Sequence, residues 1–252
     1  MTALLASVAD LGEADTALKA GVDIVDLKNP AQGALGAWDI HDLVRAVCLV
    51  GGRTPLSATI GDLPMEPEDL SAAVGATAAT GVDFVKVGFF AGNNGAGDSQ
   101  ACAEAIGRCN HGAARLVAVL FADQSPDFSL LGVLAANGFS GAMLDTADKS
   151  SGGLRDYLES RLLARFVGDA AARGLFSGLA GSLILDDVQP LLELRPDYLG
   201  FRGALCGAQG RRGVIDPDAI GELAALFQDW NASSPSRATA TAGAHMAACS
   251  LS

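Results

Sequence analysis

Only four of the 17 basic residues are lysines, namely Lys19, Lys28, Lys86 and Lys149. A sequence that otherwise uses arginine has kept a primary amine at each of these positions. Among basic side chains only a neutral amine attacks a carbonyl carbon to form a Schiff base, because a guanidinium stays protonated. Lys28 stands two residues after Asp26, and Lys149 four after Asp145. Partial burial beside a second cation lowers an amine's pKa towards the working pH, and Lys86 is available as that cation. The carboxylates of Asp26 and Asp145 oppose such a shift as ion-pair partners and can also relay protons. This set points to imine chemistry at a carbonyl carbon, assisted by general acid–base groups. Lys149 is either an ordinary exposed lysine or part of a loop that closes over a substrate. Lys19, late in a helical pattern and just before Gly21, reads as a surface cation near a helix C-terminus.

These residues need a scaffold. Short apolar runs suggest strands at Leu4–Val8, Ile24–Lys28, Leu56–Asp62, Phe84–Phe89, Leu116–Ala122, Gly141–Thr146, Ser177–Gly181 and Tyr198–Gly203. Between them lie helical patterns such as Asp39–Val50, Pro67–Thr80, Ser99–Cys109 and Leu154–Arg173. Pro67 and Pro217 sit at helix starts, and Gly138 and Gly174 where helices stop. Regular alternation implies parallel strands joined by helical crossovers. Eight units in about 230 residues match a single (β/α)8 TIM-type barrel, an α/β fold. An open doubly wound sheet would carry a Gly-rich turn after its first strand, and Ser7-Val8-Ala9-Asp10 has none. The catalytic domain is expected over 1–230. The segment 231–252, rich in Ala, Ser and Thr, is expected to be a disordered tail.

An internal repeat supports the barrel. Gly21-Val22-Asp23-Ile24-Val25-Asp26-Leu27 is matched by Gly81-Val82-Asp83-Phe84-Val85-Lys86-Val87 and echoed by Pro196-Asp197-Tyr198-Leu199 and Gly138-Phe139-Ser140-Gly141. A period of about sixty residues is two βα units. A shared strand-entry turn would produce the same pattern. If Asp23, Asp83, Ser140 and Asp197 are equivalent, Asp26 and Lys86 fall at one level, and Lys28, Asp145 and Arg202 fall two residues further on. Side chains alternate across a strand, so all five should face the barrel interior near its C-terminal mouth. An ion-paired plug is the structural alternative to an active site.

Loops after the seventh and eighth strands commonly cradle phosphate in this fold, using backbone N–H groups. Here they are Ala180-Gly181-Ser182 and Phe201-Arg202-Gly203-Ala204. Gly181, Ser182 and Gly203 are therefore candidate phosphate contacts, with Arg202 adding a forked interaction. The Gly-rich stretch Ala31–Gly36 reads as a mobile lid or a second anion site, and Asn93-Asn94-Gly95 as a turn.

A net charge of −12 argues against nucleic acid and against anionic membrane surfaces as partners. The longest stretch without Asp, Glu, Lys or Arg, Phe128–Leu144, is broken by three glycines and Asn137, so no transmembrane helix is expected. The N-terminus lacks a secretory pattern. The chain is expected to be soluble and cytoplasmic, with a small phosphorylated metabolite as its partner and a homo-oligomer left open. Five scattered cysteines and three scattered histidines show no metal-ligand spacing, so neither a metal nor another cofactor is expected.

Asp26-Leu27-Lys28-Asn29-Pro30 followed by Gly33-Ala34-Leu35-Gly36-Ala37 resembles the signature of the (5-formylfuran-3-yl)methyl phosphate synthase family, also called 4-(hydroxymethyl)-2-furancarboxaldehyde-phosphate synthase. The likeness continues through Ser57–Asp62, Val85–Gly88, Met143–Thr146, Leu179–Ser182 and Arg202–Ala204, from Leu4 to about Trp230. It implies a lyase on a TIM-type barrel. Two molecules of glyceraldehyde 3-phosphate would be condensed, with loss of phosphate and water, to the furan precursor of methanofuran-type one-carbon cofactors. It further implies that Lys28 forms the Schiff base, that Lys86 is the acid–base catalyst, and that Asp26, Asp145 and Lys149 complete the site. Phe121-Ala122-Asp123 departs from the family pattern, so Asp123 is left out of the site. A class I aldolase on a related sugar phosphate, or a non-catalytic phosphosugar-binding barrel, would carry many of the same features.

Overall fold

The structure is a computed structural model describing residues 1–90 and 96–233. Eight parallel strands close into a barrel in sequence order: β1 (Ala3–Val8), β2 (Ile24–Leu27), β3 (Leu56–Thr59), β4 (Phe84–Phe89), β5 (Arg115–Phe121), β6 (Gly141–Asp145), β7 (Phe176–Leu179) and β8 (Tyr198–Phe201), the last pairing with the first. The helices are α1 (Leu11–Lys19), α2 (Ile40–Val50), α3 (Pro67–Ala78), α4 (Ala96–Arg108), α5 (Leu130–Ala136), α6 (Leu154–Tyr157), α7 (Ser160–Ala172), α8 (Leu185–Leu192) and α9 (Pro217–Ser233). This is the expected (β/α)8 architecture. Six of the eight strands end one to three residues before the apolar runs that announced them, because the ladder stops where the chain must turn over the mouth. The expected helix over Leu154–Arg173 is interrupted: Leu158 and Glu159 are extended, and the chain restarts as α7. Neither Gly nor Pro marks that break.

Local chemistry starts and stops the helices. Asp10 accepts from the Glu13 N–H at the head of α1, and Asp39 caps α2 in the same way. Pro67 opens α3 at its first turn. Gly138 and Gly174, at the helix ends, adopt left-handed φ values of 79° and 73°.

The internal repeat has a structural cause. At the entry of β2, β4 and β8, the Asp23, Asp83 and Asp197 carboxylates accept from the backbone N–H of Leu4, Leu56 and Ser177 at 2.7–2.8 Å. Each repeat thus ties a strand to the start of its predecessor in the barrel. Ser140 stands at the fourth such place, before β6, without a carboxylate.

Two apolar layers form. Outward-facing strand residues such as Val25, Ala58, Val85, Ala118 and Leu144 pack against the helices. The inner layer is smaller and contains Leu5, Val117, Val119, Phe121, Met143 and Tyr198. Phe84, Phe176 and Tyr198, with ring centroids 5.6 and 6.1 Å apart in edge-on and tilted contacts, lie across the N-terminal end of the barrel as a floor.

Arg202 closes the seam between β8 and β1. Its φ/ψ of −136°/−61° leaves the strand region, so the side-chain alternation that would send it inward ends at Phe201. The guanidinium forms a buried fork with Glu13 and also donates to the carbonyls of Ser7, Arg211 and Gly213. The expectation that Arg202 faces the barrel interior and holds phosphate is therefore corrected, since all five of its N–H donors are already engaged. The domain boundary also shifts. The Asn231 side chain bonds both backbone groups of Thr2, and α9 runs to Ser233, past the expected boundary at 230. Residues 234–252, and with them most of the expected tail, lie outside the described residues, as do Asn93-Asn94-Gly95. No helix among the described residues is long and apolar enough to cross a membrane.

Breaking the seam should be costly. Glu13→Gln leaves the Arg202 cation buried without its counter-ion, so unfolding should become easier by about 3–5 kcal/mol. A lower urea midpoint with an unchanged slope would show it.

Candidate active site

Inside the barrel the odd and even strands differ. The inner faces of β1, β5 and β7 are largely apolar, while β2, β4 and β6 carry Asp26 and Lys28, Lys86, and Asp145. These four are 0%, 7%, 1% and 1% exposed. Charges held this far from water persist only when paired. Lys86 Nζ lies 2.8 Å from Asp26 Oδ1, and Lys28 Nζ lies 3.2 Å from Asp145 Oδ2. The Ser7 and Ser57 hydroxyls donate to the two Asp26 oxygens at 2.7 and 2.6 Å, so that carboxylate takes three donors. The other Asp145 oxygen accepts from Lys149 and, at 2.8 Å, from the Thr146 N–H. The barrel register thus brings together Asp26, Lys28, Lys86 and Asp145, as the internal repeat implied, and the loop after β6 adds Lys149.

Protonation follows from this packing. Burial pushes Lys86 below the ordinary lysine value, and the Lys28 cation adds to the effect while Asp26 opposes it. Burial pushes the Asp26 carboxyl upward, but Lys86 and Lys28 together hold it below the usual carboxylate range. Asp145 behaves likewise, with Lys149 and Lys28 outweighing its burial. Lys149, nearly buried, is lowered to about 8 mainly by desolvation. The result is a pair of firm carboxylates facing Lys86 and Lys149, two amines whose protonated form burial weakens.

Two aspartates that sequence reasoning did not place in the site hold the loops around it. Asp123, after β5, accepts from the N–H groups of Ala147 and Asp148 and so fixes the loop carrying Lys149. Asp62, after β3, accepts from Ala34 and Leu35 at 2.7 Å. These bonds pin the segment 29–37 across the mouth, where the fully buried Leu35 joins the inner layer. Two glycines permit the crossing. A Cβ on Gly33 (φ 113°) would sit 2.1 Å from an Asp62 oxygen, and one on Gly36 would sit 2.2 Å from the Asn29 carbonyl oxygen. The Gly-rich stretch is thus an ordered cover in this structure. The signal shared by Asp62 and Asp123 is simple: both stand just past a strand's C-terminal end.

At the ends of β7 and β8, the backbone N–H groups of Gly181, Ser182, Gly203 and Ala204 have no protein acceptor among the described residues. Gly181 has φ 112°, and Ser182, at φ 48°, is held in a left-handed conformation that non-glycine residues seldom adopt. Amides left without a protein acceptor at strand C-terminal ends are open to an anion.

A sequence profile of the 4-HFC-P synthase family matches residues 4–224. The chain belongs to this enzyme family. The (5-formylfuran-3-yl)methyl phosphate synthase of Methanothermobacter thermautotrophicus is 35% identical over 242 residues, spanning 90% of this chain and 99% of that one. The synthase of Methanocaldococcus jannaschii is 34% identical over 88% and 98% of the two chains. A Methylorubrum extorquens protein provisionally named for the same synthase is 44% identical over 84% and 86%. Among solved structures, phosphoribosyl anthranilate isomerase from Thermus thermophilus superposes with a TM-score of 0.61 at 17% identity, covering 91% of this chain and 99% of that one. A 3-hexulose-6-phosphate synthase gives 0.59 at 14%, covering 88% and 99%. At these identities the structural likeness speaks to the barrel alone.

The Lys86–Asp26 pair sets an expectation for the family fold. Asp26→Asn should destabilise the protein by about 3–5 kcal/mol near neutral pH, because Lys86 is left buried without a counter-ion. Lys86 titrates lower in the folded than in the unfolded chain. Between those two values the unfolded chain binds more protons, so the variant's stability should rise with pH. Urea midpoints at neutral and alkaline pH would measure the recovery.

Proposed function

We propose that this enzyme condenses two molecules of glyceraldehyde 3-phosphate, with loss of phosphate and water, to (5-formylfuran-3-yl)methyl phosphate, a furan precursor for methanofuran-type one-carbon cofactors. The observation that carries the reading is the buried quartet of Asp26, Lys28, Lys86 and Asp145 at the mouth of a family-matched barrel. It is supported by the unpartnered amides at Gly181, Ser182, Gly203 and Ala204, which suit the substrate phosphate.

In this reading Lys28 is the nucleophile. The free amine of Lys28 attacks the aldehyde carbon to give a carbinolamine, while Asp145 stays ionised beside it. Loss of water as an imine needs an acid at the departing hydroxyl. Lys86, whose pKa burial lowers and which is hydrogen-bonded to Asp26, is placed to accept and return that proton. Abstraction of a proton beside the imine then generates the carbon nucleophile that adds to the second aldehyde. Lys149, on Asp145's other oxygen, balances that carboxylate's charge as Lys28 becomes covalently occupied. Each later dehydration, and the departure of one phosphate, repeats the same exchange of protons in a site kept dry by Leu35.

Purified protein incubated with glyceraldehyde 3-phosphate should generate a furan aldehyde chromophore together with free phosphate. A linear sugar phosphate without the chromophore would instead indicate an aldolase. Borohydride added during turnover should fix one adduct on the peptide carrying Lys28, and Lys28→Arg should abolish both label and product. Lys86→Ala should still be labelled at Lys28 while furan formation slows by about a hundred- to ten-thousand-fold. An adduct mapped to Lys86, and retained in Lys28→Ala, would reverse the two roles.

A further inference from the structure

Arg211 is an unexplained charge beside this mouth. Its backbone packs over Gly203, where an added Cβ would lie 3.8 Å from the Arg211 nitrogen. The side chain is partly buried, and burial pushes its pKa down while Asp145 and Asp62 pull against that. Yet it forms no ion pair with any described carboxylate. One terminal nitrogen donates, at 3.4 and 3.2 Å, to the carbonyl oxygens of Pro30 and Gly33 on the covering segment. Its other donors have no acceptor among the described residues. The neighbouring arginine is different: Arg202 is saturated by Glu13 and three carbonyls, and one of those carbonyls is Arg211's own. The buried seam therefore holds the Arg211 backbone in place and leaves its guanidinium free to change partners.

The covering segment is also imperfectly satisfied. The Trp38 indole N–H, just past the segment's end, is buried without an acceptor. A buried donor of this kind is a cost that another loop conformation can remove. Asn29, Gln32, Ala37 and Trp38 line a cleft shared with Asp10 and Arg45, so the segment borders open space on its outer side.

We propose that Arg211 recognises the substrate's phosphoryl group and, in doing so, leaves the Pro30 and Gly33 carbonyls, so that phosphate binding unlatches the cover over Lys28. This rests on the triose phosphate reading for its substrate but not for its ligand chemistry. A guanidinium on the segment that packs over Gly203, together with the unpartnered amides of Gly203 and Ala204, offers a tetrahedral dianion several N–H donors, where a planar carboxylate would engage the fork alone. The latch also explains how a phosphate ester could gain entry to a site that Leu35 otherwise seals.

The test compares wild type, Arg211→Gln and Arg211→Lys by borohydride trapping at Lys28, with glyceraldehyde 3-phosphate and with unphosphorylated glyceraldehyde. Loss of charged hydrogen bonds to phosphate should raise the half-saturating concentration of the phosphate ester by about ten- to a hundredfold in Arg211→Gln. Arg211→Lys should fall between, keeping the charge without the fork. Glyceraldehyde should be trapped at least as fast in Arg211→Gln as in wild type, since the cover is no longer latched; a purely structural defect would slow both aldehydes alike. Calorimetric titration with inorganic phosphate provides a readout independent of turnover, with binding in wild type and at least tenfold weaker binding in Arg211→Gln. If wild type binds phosphate but neither aldehyde labels Lys28, the substrate reading fails and the Arg211 assignment stands. Equal phosphate affinity in wild type and Arg211→Gln, or no phosphate binding to wild type, would overturn the assignment.

Discussion

Two carboxylates and two amines share the interior of this barrel, and the cost of removing them from water constrains everything around them. Asp26 is wholly buried and remains ionised because it collects Lys86, Ser7 and Ser57 as donors. Lys28 is the companion amine, and it shares Asp145 with Lys149. Apolar side chains of similar volume would hold a barrel at least as well. The quartet is therefore a burden on stability, and each of its charges persists only because the others and their hydroxyl neighbours compensate it.

The remainder of the molecule limits the freedom of those groups. An aromatic floor of Phe84, Phe176 and Tyr198 occupies the barrel end opposite the mouth. Asp23, Asp83 and Asp197 tie strand entries together below, and Asp62 and Asp123 tie loops above. The same side chain serves both ends for one reason: a short carboxylate can accept backbone N–H groups that the barrel ladder leaves unpaired where strands begin and end. The Glu13–Arg202 pair does comparable work at the β8–β1 seam, where the last strand meets the first and the segment carrying Arg211 departs.

Much of this was visible in one dimension. Alternation of apolar runs with amphipathic stretches is a direct consequence of strands buried on both faces and helices buried on one, so eight βα units could be counted. The period-two rule placed Asp26, Lys28, Lys86 and Asp145 on one inner surface because those residues lie on regular strand or at its first step beyond. The same rule failed for Arg202, one residue after β8 ends, where φ/ψ had already left the extended region. It offered nothing for Arg211, Asp62 or Asp123, which sit on turns without a period.

Residue type and local periodicity were therefore enough for the barrel and for the inward set of amines and carboxylates. Which carboxylate neutralises which cation was settled only in three dimensions. Glu13 and Arg202 are 189 residues apart, and Lys28 and Asp145 are 117 apart. Pairing across such separations depends on the closure and stagger of the whole barrel, and no local window of the chain contains that information. The segment 29–37 shows the same division. Its glycines announced an unusual backbone path, but only the positions of Asp62, Leu35 and Arg211 across the mouth made that path a cover, because a loop without periodicity takes its shape from the groups it lands on.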